Sequence, residues 1–134
     1  GVAIAEFPTT REAAEAAHAS GLAVLMGAPN FVRGGSHSGN ISASEIAAAG
    51  TLDVLSSDYV PTSLLSAVFS MPERIEGYTL PDAIRLVTCN PAKAAGLADR
   101  GEIAIGKRAD LVQIADSEHH PVVRRVWREG VRVM

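Results

Sequence analysis

The sequence has one cysteine, no long run of Lys and Arg residues and no long apolar run. Cys89 alone excludes an internal disulfide framework and any CxxC metal or redox pair, and it favours a reducing, cytoplasmic location. The 12 Lys and Arg residues are scattered among 15 Asp and Glu, so the chain lacks the basic surface that nucleic acids require. No apolar stretch approaches the roughly 18 residues that span a bilayer. The sequence therefore predicts neither a nucleic-acid nor a membrane partner.

What the chain does have is an apolar content of 47% in 134 residues, enough for the core of one modest domain. Three short apolar runs, 2–5, 22–26 and 52–55, have the Val, Leu and Ala content typical of strands buried on both faces. Helical patterns separate them. This alternation predicts an α/β fold with a parallel sheet.

Helix signals accompany these strands. The T-x-x-E of Thr9–Glu12 and the S-x-x-E of Ser42–Glu45 predict capping boxes, with helices that end near Gly21 and Gly50. Further helices are expected over 61–70 and from Thr79 to about residue 88, separated by a polar connection at 72–77.

The C-terminal third has a different pattern of short, turn-punctuated β-segments. These are expected at 101–106, 109–114, 122–127 and 131–134. Glu129 and Gly130 separate the last two and predict a hairpin turn.

The chain opens on an apolar strand without an initiating Met, and three strand–helix units cannot close a barrel of eight strands and about 250 residues. The sequence therefore predicts a fragment, which would be inactive and prone to aggregate by itself because its sheet edges are unpaired.

Polar residues follow each predicted strand. Glu6 ends the first, Asn30 follows the second, and Asp58 lies just after the third. Ligands of parallel α/β sheets bind at the carboxyl ends of the strands, so these side chains are expected to converge there. Asp58 is the stronger candidate to ligate a metal or accept a proton from water. The alternative is that Asp58 caps the helix that begins near Pro61.

The glycine-rich segment 31–40 follows Asn30 and leads into the helix at Ser42. Its glycines would let backbone N–H groups approach a ligand, and its polar side chains add donors. The helix N-terminus beyond it favours anions, so we expect a phosphate site here, whereas the alternative is a flexible connector. The candidate binding residues are Asn30, Arg33, Gly34, Gly35, Ser36 and His37.

The C-terminal motifs resemble those of the amidohydrolase superfamily. The residues are Thr88-Cys89-Asn90-Pro91-Ala92, Gly96-Leu97, Gly101-Glu102-Ile103, Gly106 and Ala109-Asp110-Leu111-Val112. The segments 5–10, 26–30, 33–40 and 55–61 further resemble a diphosphatase branch that acts in phosphonate catabolism, on the carbon–phosphorus lyase pathway.

The resemblance implies a fold, an activity and site residues. The fold would be the C-terminal part of a (β/α)8 TIM barrel, about strands six to eight, in residues 1–90, followed in 91–134 by a connection and strands of a small β-sandwich. The activity would be metal-dependent hydrolysis of a ribose 5-triphosphate, a small-molecule substrate, to the 5-phosphate and pyrophosphate. Asp58 matches the strand-eight aspartate that binds metal and takes the proton of the attacking water. Glu6 stands where many members have a sixth-strand histidine.

The same resemblance leaves several properties open. The divalent metal can be zinc, manganese or magnesium, and an oxygen-rich ligand set would favour the harder ions. A homo-oligomer is compatible with the sequence. Two alternative functions are another amidohydrolase that acts on a C–N bond, as a deacetylase or deaminase does, and a non-catalytic α/β binding module.

Overall fold

A three-stranded parallel sheet forms the first part of the fold. The computed structural model describes residues 1–36, 39–117 and 120–134. The strands are β1 (Ile4–Glu6), β2 (Ala23–Gly27) and β3 (Val54–Ser56), paired in the order β1-β2-β3. The predicted parallel sheet is confirmed, although each strand ends one residue later than its apolar run.

Six helices accompany this sheet within the described residues. They are α1 (Arg11–Ala19), α2 (Ala28–Arg33), α3 (Ala43–Ala48), α4 (Ser63–Arg74), α5 (Leu80–Arg85) and α6 (Cys89–Ala94). The apolar core lies between α1, α3, α4 and α5 and the sheet face that carries Val24, Met26 and Leu55. In the described part of the chain, no helix has the length and apolar character needed to cross a membrane.

Several helices differ from the sequence prediction. Helix α2 occupies the start of the segment predicted as a loop, because Pro29 suits a first helical turn and Gly34, at φ +80°, ends the helix. Helix α4 continues to Arg74, with Pro72 in its last turn. Helix α5 ends at Arg85 and is followed by α6, which the sequence analysis missed.

Side-chain caps begin several helices. The box of Ser42 and Glu45 is confirmed, and Thr79 forms one with Asp82 at the start of α5. The predicted box from Thr9 to Glu12 is wrong, because α1 begins one residue later. Its N-cap is Thr10, whose hydroxyl accepts a hydrogen bond of 3.2 Å from the N–H of Ala13.

These capping boxes predict a loss of stability in acid. The hydroxyl of Ser42 and then its N–H lower the pKa of Glu45 below its ordinary value of 4.5, and Thr79 lowers that of Asp82 below 3.8 in the same way. Their contribution is present above those ordinary values and is lost as the pH falls through the folded-state pKa values. Melting temperatures measured from about pH 6 to about pH 3 should fall. The double variant Glu45→Gln/Asp82→Asn should fall less steeply, and equal slopes would contradict this assignment.

A second, antiparallel sheet follows. It comprises β4 (Leu111–Ser117), β5 (His120–Arg128) and β6 (Val131–Arg132). The predicted hairpin is confirmed: Glu129 and Gly130 both have positive φ, +52° and +80°, and join the paired residues of β5 and β6. Such values match the right-handed twist of the flanking strands.

The predicted strand at 101–106 is wrong. This segment forms bends and turns. Gly101 and Gly106 both have positive φ, which breaks the extended path, and Ile103 and Ile105 are almost fully exposed.

Candidate active site

The register of the parallel sheet places three strand ends on one face. Glu6 pairs with Leu25, and Gly27 pairs with Ser56. Alternate residues of a strand point to opposite faces. Because Met26 packs into the helical core, Glu6, Gly27 and Ser56 lie on the face that is turned away from it.

Asp58 comes two residues after the end of β3 and lies against Gly27. A Cβ built on Gly27 would be 2.9 Å from Oδ2 of Asp58. The Asp58 side chain is exposed and forms no hydrogen bond or ion pair in the part of the chain that the structure describes. The capping alternative is wrong, because the N-cap of α4 is Thr62 and it makes no side-chain cap hydrogen bond.

Backbone strain occurs at the same edge. Phe7 follows Glu6 with φ +53°, and Asp58 has φ +48°. Left-handed conformations of residues other than glycine are costly, and they cluster at functional sites, where the surrounding structure holds them.

Arg33 reaches the loop that carries Asp58. It is the last residue of α2, and its guanidinium carbon lies 5.8 Å from the centroid of the Tyr59 ring. The two side chains therefore form a cation–π pair next to Asp58. This contact places a predicted anion-binding residue against the residue that follows the predicted catalytic carboxylate, although the two are far apart in the sequence.

Gly34 and Gly35, in segment 31–40, end helix α2. The N–H of Gly34 donates to the carbonyl of Phe31, and that of Gly35 to the carbonyl of Asn30, each at 3.1 Å. Both N–H groups close helix α2, so the expectation that they donate to a ligand is wrong for these two. Ser36 is half-buried, and His37 lies outside the described residues.

The N-terminus of α3 is also already occupied. Oδ1 of Asn30 accepts a hydrogen bond of 2.9 Å from the N–H of Ala43, and the N–H groups of Ser42 and Glu45 bond within the capping box. The Glu45 carboxylate adds negative charge at this end of the helix. A phosphate at this helix N-terminus would have to compete with these contacts, and the site stays a prediction.

Arg74 is a contact that the sequence analysis missed. Its guanidinium carbon lies 4.8 Å from the ring centroid of the buried Phe31, and its Nη1 donates to the carbonyl of Val32 at 3.3 Å. It thereby supports the end of α2 from which Arg33 extends. The sequence placed Arg74 in the polar connection 72–77, so this contact could not be found before α4 was seen to extend to residue 74.

The site has few metal ligands of its own. Among the described residues, no three His, Cys, Asp or Glu side chains lie close enough together to hold a metal ion. Glu6 and Asp58 are the two carboxylates at the strand ends, and like Asp58, the exposed Glu6 has no hydrogen bond or ion pair in that part of the chain.

The sequence of this chain is similar to those of two named enzymes. Over 134 residues, 99% of the chain, it is 58% identical to the alpha-D-ribose 1-methylphosphonate 5-triphosphate diphosphatase of Escherichia coli (strain K12). The chain spans about a third of that relative, 35% of its length. A shorter match, 45% identical over 51 residues, covers 38% of the chain and 9% of adenine deaminase 2 of Desulfotalea psychrophila.

A solved structure and a family model agree with these relatives. The crystal structure of an amidohydrolase from Thermotoga maritima matches 92% of this chain and 34% of its own with a TM-score of 0.70 at 26% identity. The model of the amidohydrolase family matches residues 2–134. The chain therefore belongs to the amidohydrolase family.

Proposed function

We propose that the protein containing this chain hydrolyses alpha-D-ribose 1-methylphosphonate 5-triphosphate to the 5-phosphate and pyrophosphate, in phosphonate catabolism. The similarity to the Escherichia coli diphosphatase supports this most strongly, because it covers 99% of the chain and so includes the edge that carries Glu6 and Asp58. Under this proposal, β1–β3 correspond to the sixth to eighth strands of a TIM barrel, and β4–β6 belong to a β-sandwich in residues 91–134. The cytoplasmic location and any homo-oligomer stay predictions.

The chemistry of the edge suits this reaction. Cleavage of a phosphoanhydride needs a base for the attacking water and positive charge near the leaving pyrophosphate. Asp58 offers an exposed carboxylate, without a partner among the described residues, to accept the proton. Arg33, held over Tyr59, offers a guanidinium on the same rim.

A divalent metal is part of this proposal. Glu6 and Asp58 are the described residues that would hold it, and carboxylate oxygens suit magnesium and manganese as well as zinc. Bound there, a divalent cation would stabilise the negative charge of the phosphates. Two carboxylates fit only part of a ligand set, so further ligands must come from outside the described residues.

Product analysis of the complete protein tests the proposal. With added magnesium, manganese or zinc, we expect release of pyrophosphate and the ribose 5-phosphate from the 5-triphosphate. The match to an adenine deaminase supports the second candidate, a C–N hydrolase, which would release ammonia or acetate from its own substrates. Failure to release pyrophosphate with any of the three metals would overturn the proposal, and a non-catalytic binding module would release none of these products.

Arg33→Ala in the complete protein should weaken substrate binding. Loss of one charge-assisted hydrogen bond costs about 1.5–3 kcal/mol, so KM should rise about 10- to 150-fold. Steady-state kinetics at fixed salt, with melting temperature in parallel, would measure it. Arg124→Ala, which removes an exposed arginine of β5, is the control for net charge and should leave KM unchanged. Equal KM values for the Arg33 variant and the wild type would contradict the prediction and favour the alternative, in which segment 31–40 is only a connector.

A further inference from the structure

We propose that Gly27 is a positioning residue that leaves the space in which the Asp58 carboxylate lies. The inference rests on the proposed function, because it assigns Asp58 to the reaction. It concerns a contact between the end of β2 and the loop after β3.

The backbone of Gly27 does not itself require glycine. Its φ of −78° and ψ of 130° are extended values that any L-residue adopts. Glycine in a strand often marks a place where another group approaches the backbone closely. Gly27 is also the N-cap of α2, a position where glycine is favoured over alanine, so the space it leaves is the second of two reasons for glycine here.

A single side chain occupies that space. The three nearest heavy atoms to a Cβ built on Gly27 are Oδ2, Cβ and Cγ of Asp58, at 2.9, 3.3 and 3.5 Å. The first distance is shorter than real Cβ contacts. A methyl group at residue 27 must therefore move the Asp58 carboxylate.

Rotation of the Asp58 side chain relieves the contact with Oδ2, and the contact with its Cβ at 3.3 Å needs a shift of a few tenths of an ångström. The carboxylate is at the far end of an exposed side chain and has no hydrogen bond or ion pair in the described part of the chain, so it can rotate into solvent. Gly27 itself is buried and keeps its pairing with Ser56. Because alanine is a poorer N-cap than glycine, we expect Gly27→Ala to lower the melting temperature somewhat, and the fall in kcat is the effect that tests the contact with Asp58.

The test is Gly27→Ala in the complete protein, alone and combined with Asp58→Asn. Misplacement of a reacting group by about 1 Å can cost about 100-fold in rate, so kcat should fall by at least about 10-fold while KM changes less than about 3-fold. In the Asp58→Asn background, Gly27→Ala should cause no further loss, because its effect acts through that carboxylate. Gly50→Ala is the control: Gly50 has φ +73° and no described residue has an atom within 4 Å of its Cβ position, so alanine strains the backbone without touching Asp58. It should lower the melting temperature and leave kcat unchanged.

The outcomes separate this inference from the proposed function. Unchanged kcat in Gly27→Ala, with pyrophosphate release normal in the wild type, overturns the inference and leaves the function standing. Additive losses in the double variant also overturn it. If the wild type releases no pyrophosphate, the function fails, and a crystal structure of Gly27→Ala decides the inference: an Asp58 carboxylate in its original position would contradict it, and a displaced one would support it.

Discussion

Asp58→Asn in the complete protein is expected to lower kcat for pyrophosphate release by about 10²- to 10⁴-fold, the usual effect of removing a general base. The amide keeps the shape of the side chain but cannot accept a proton from water and binds a divalent cation poorly. Loss of metal would add to the effect. The measurements are steady-state kinetics, the metal content of the purified protein and its melting temperature.

The melting temperature should change little, for two structural reasons. Asp58 has φ +48°, and asparagine adopts the left-handed region at least as readily as aspartate. Asp58 also makes no helix cap, since the N-cap of α4 is Thr62. The substitution therefore removes charge without removing a structural contact of the described residues.

Asp82→Asn is the matched control for this prediction. It makes the same chemical change in the capping box of α5, so it should lower stability near neutral pH and leave kcat unchanged. Near-normal pyrophosphate release by Asp58→Asn, with its metal retained, would mean that Glu6 or a residue outside this chain carries the proton transfer.

Local patterns predicted much of the fold. The parallel sheet was predicted from three short apolar runs, and the β5–β6 hairpin from the two-residue turn of Glu129 and Gly130. Residues close together in the sequence therefore suffice to identify both. Helix α2 was missed because the glycines of segment 31–40 resemble a loop. Its own signals, Pro29 at the start and Gly34 at the end, were present.

The site was less predictable, because its contacts join distant parts of the chain. The sequence identified Glu6, Arg33 and Asp58 as candidates from their places after strands and near glycines. It could not show that the N–H groups of Gly34 and Gly35 bond to carbonyls at the end of α2, because helix α2 was itself not predicted. Nor could it show that Gly27 meets Asp58, which depends on the pairing of β2 with β3 and on the left-handed turn beyond it.

Gly101→Ala is expected to be among the most destabilising single substitutions in this chain. Gly101 has φ +96°, and a Cβ there would lie 2.8 Å from the Cβ of Ala92 and 3.0 Å from both Cα of Cys89 and the carbonyl oxygen of Thr88. Two of these atoms are backbone and cannot rotate away. The substitution therefore combines a strained conformation, about 1–3 kcal/mol, with overpacking against α6, about another 1–3 kcal/mol.

Comparison with Gly106→Ala separates the cost of backbone strain from the cost of overpacking. Gly106 has a similar φ of +85°, but no atom of the described part of the chain lies within 4 Å of its Cβ position, so alanine adds strain alone. That strain is partly offset by about 0.4–1 kcal/mol, because alanine lowers the entropy of the unfolded chain. Denaturant unfolding of both variants in the complete protein should show the larger loss for Gly101→Ala. Equal losses would mean that the close approach of residue 101 to α6 contributes nothing, and that positive φ alone explains why glycine is needed there.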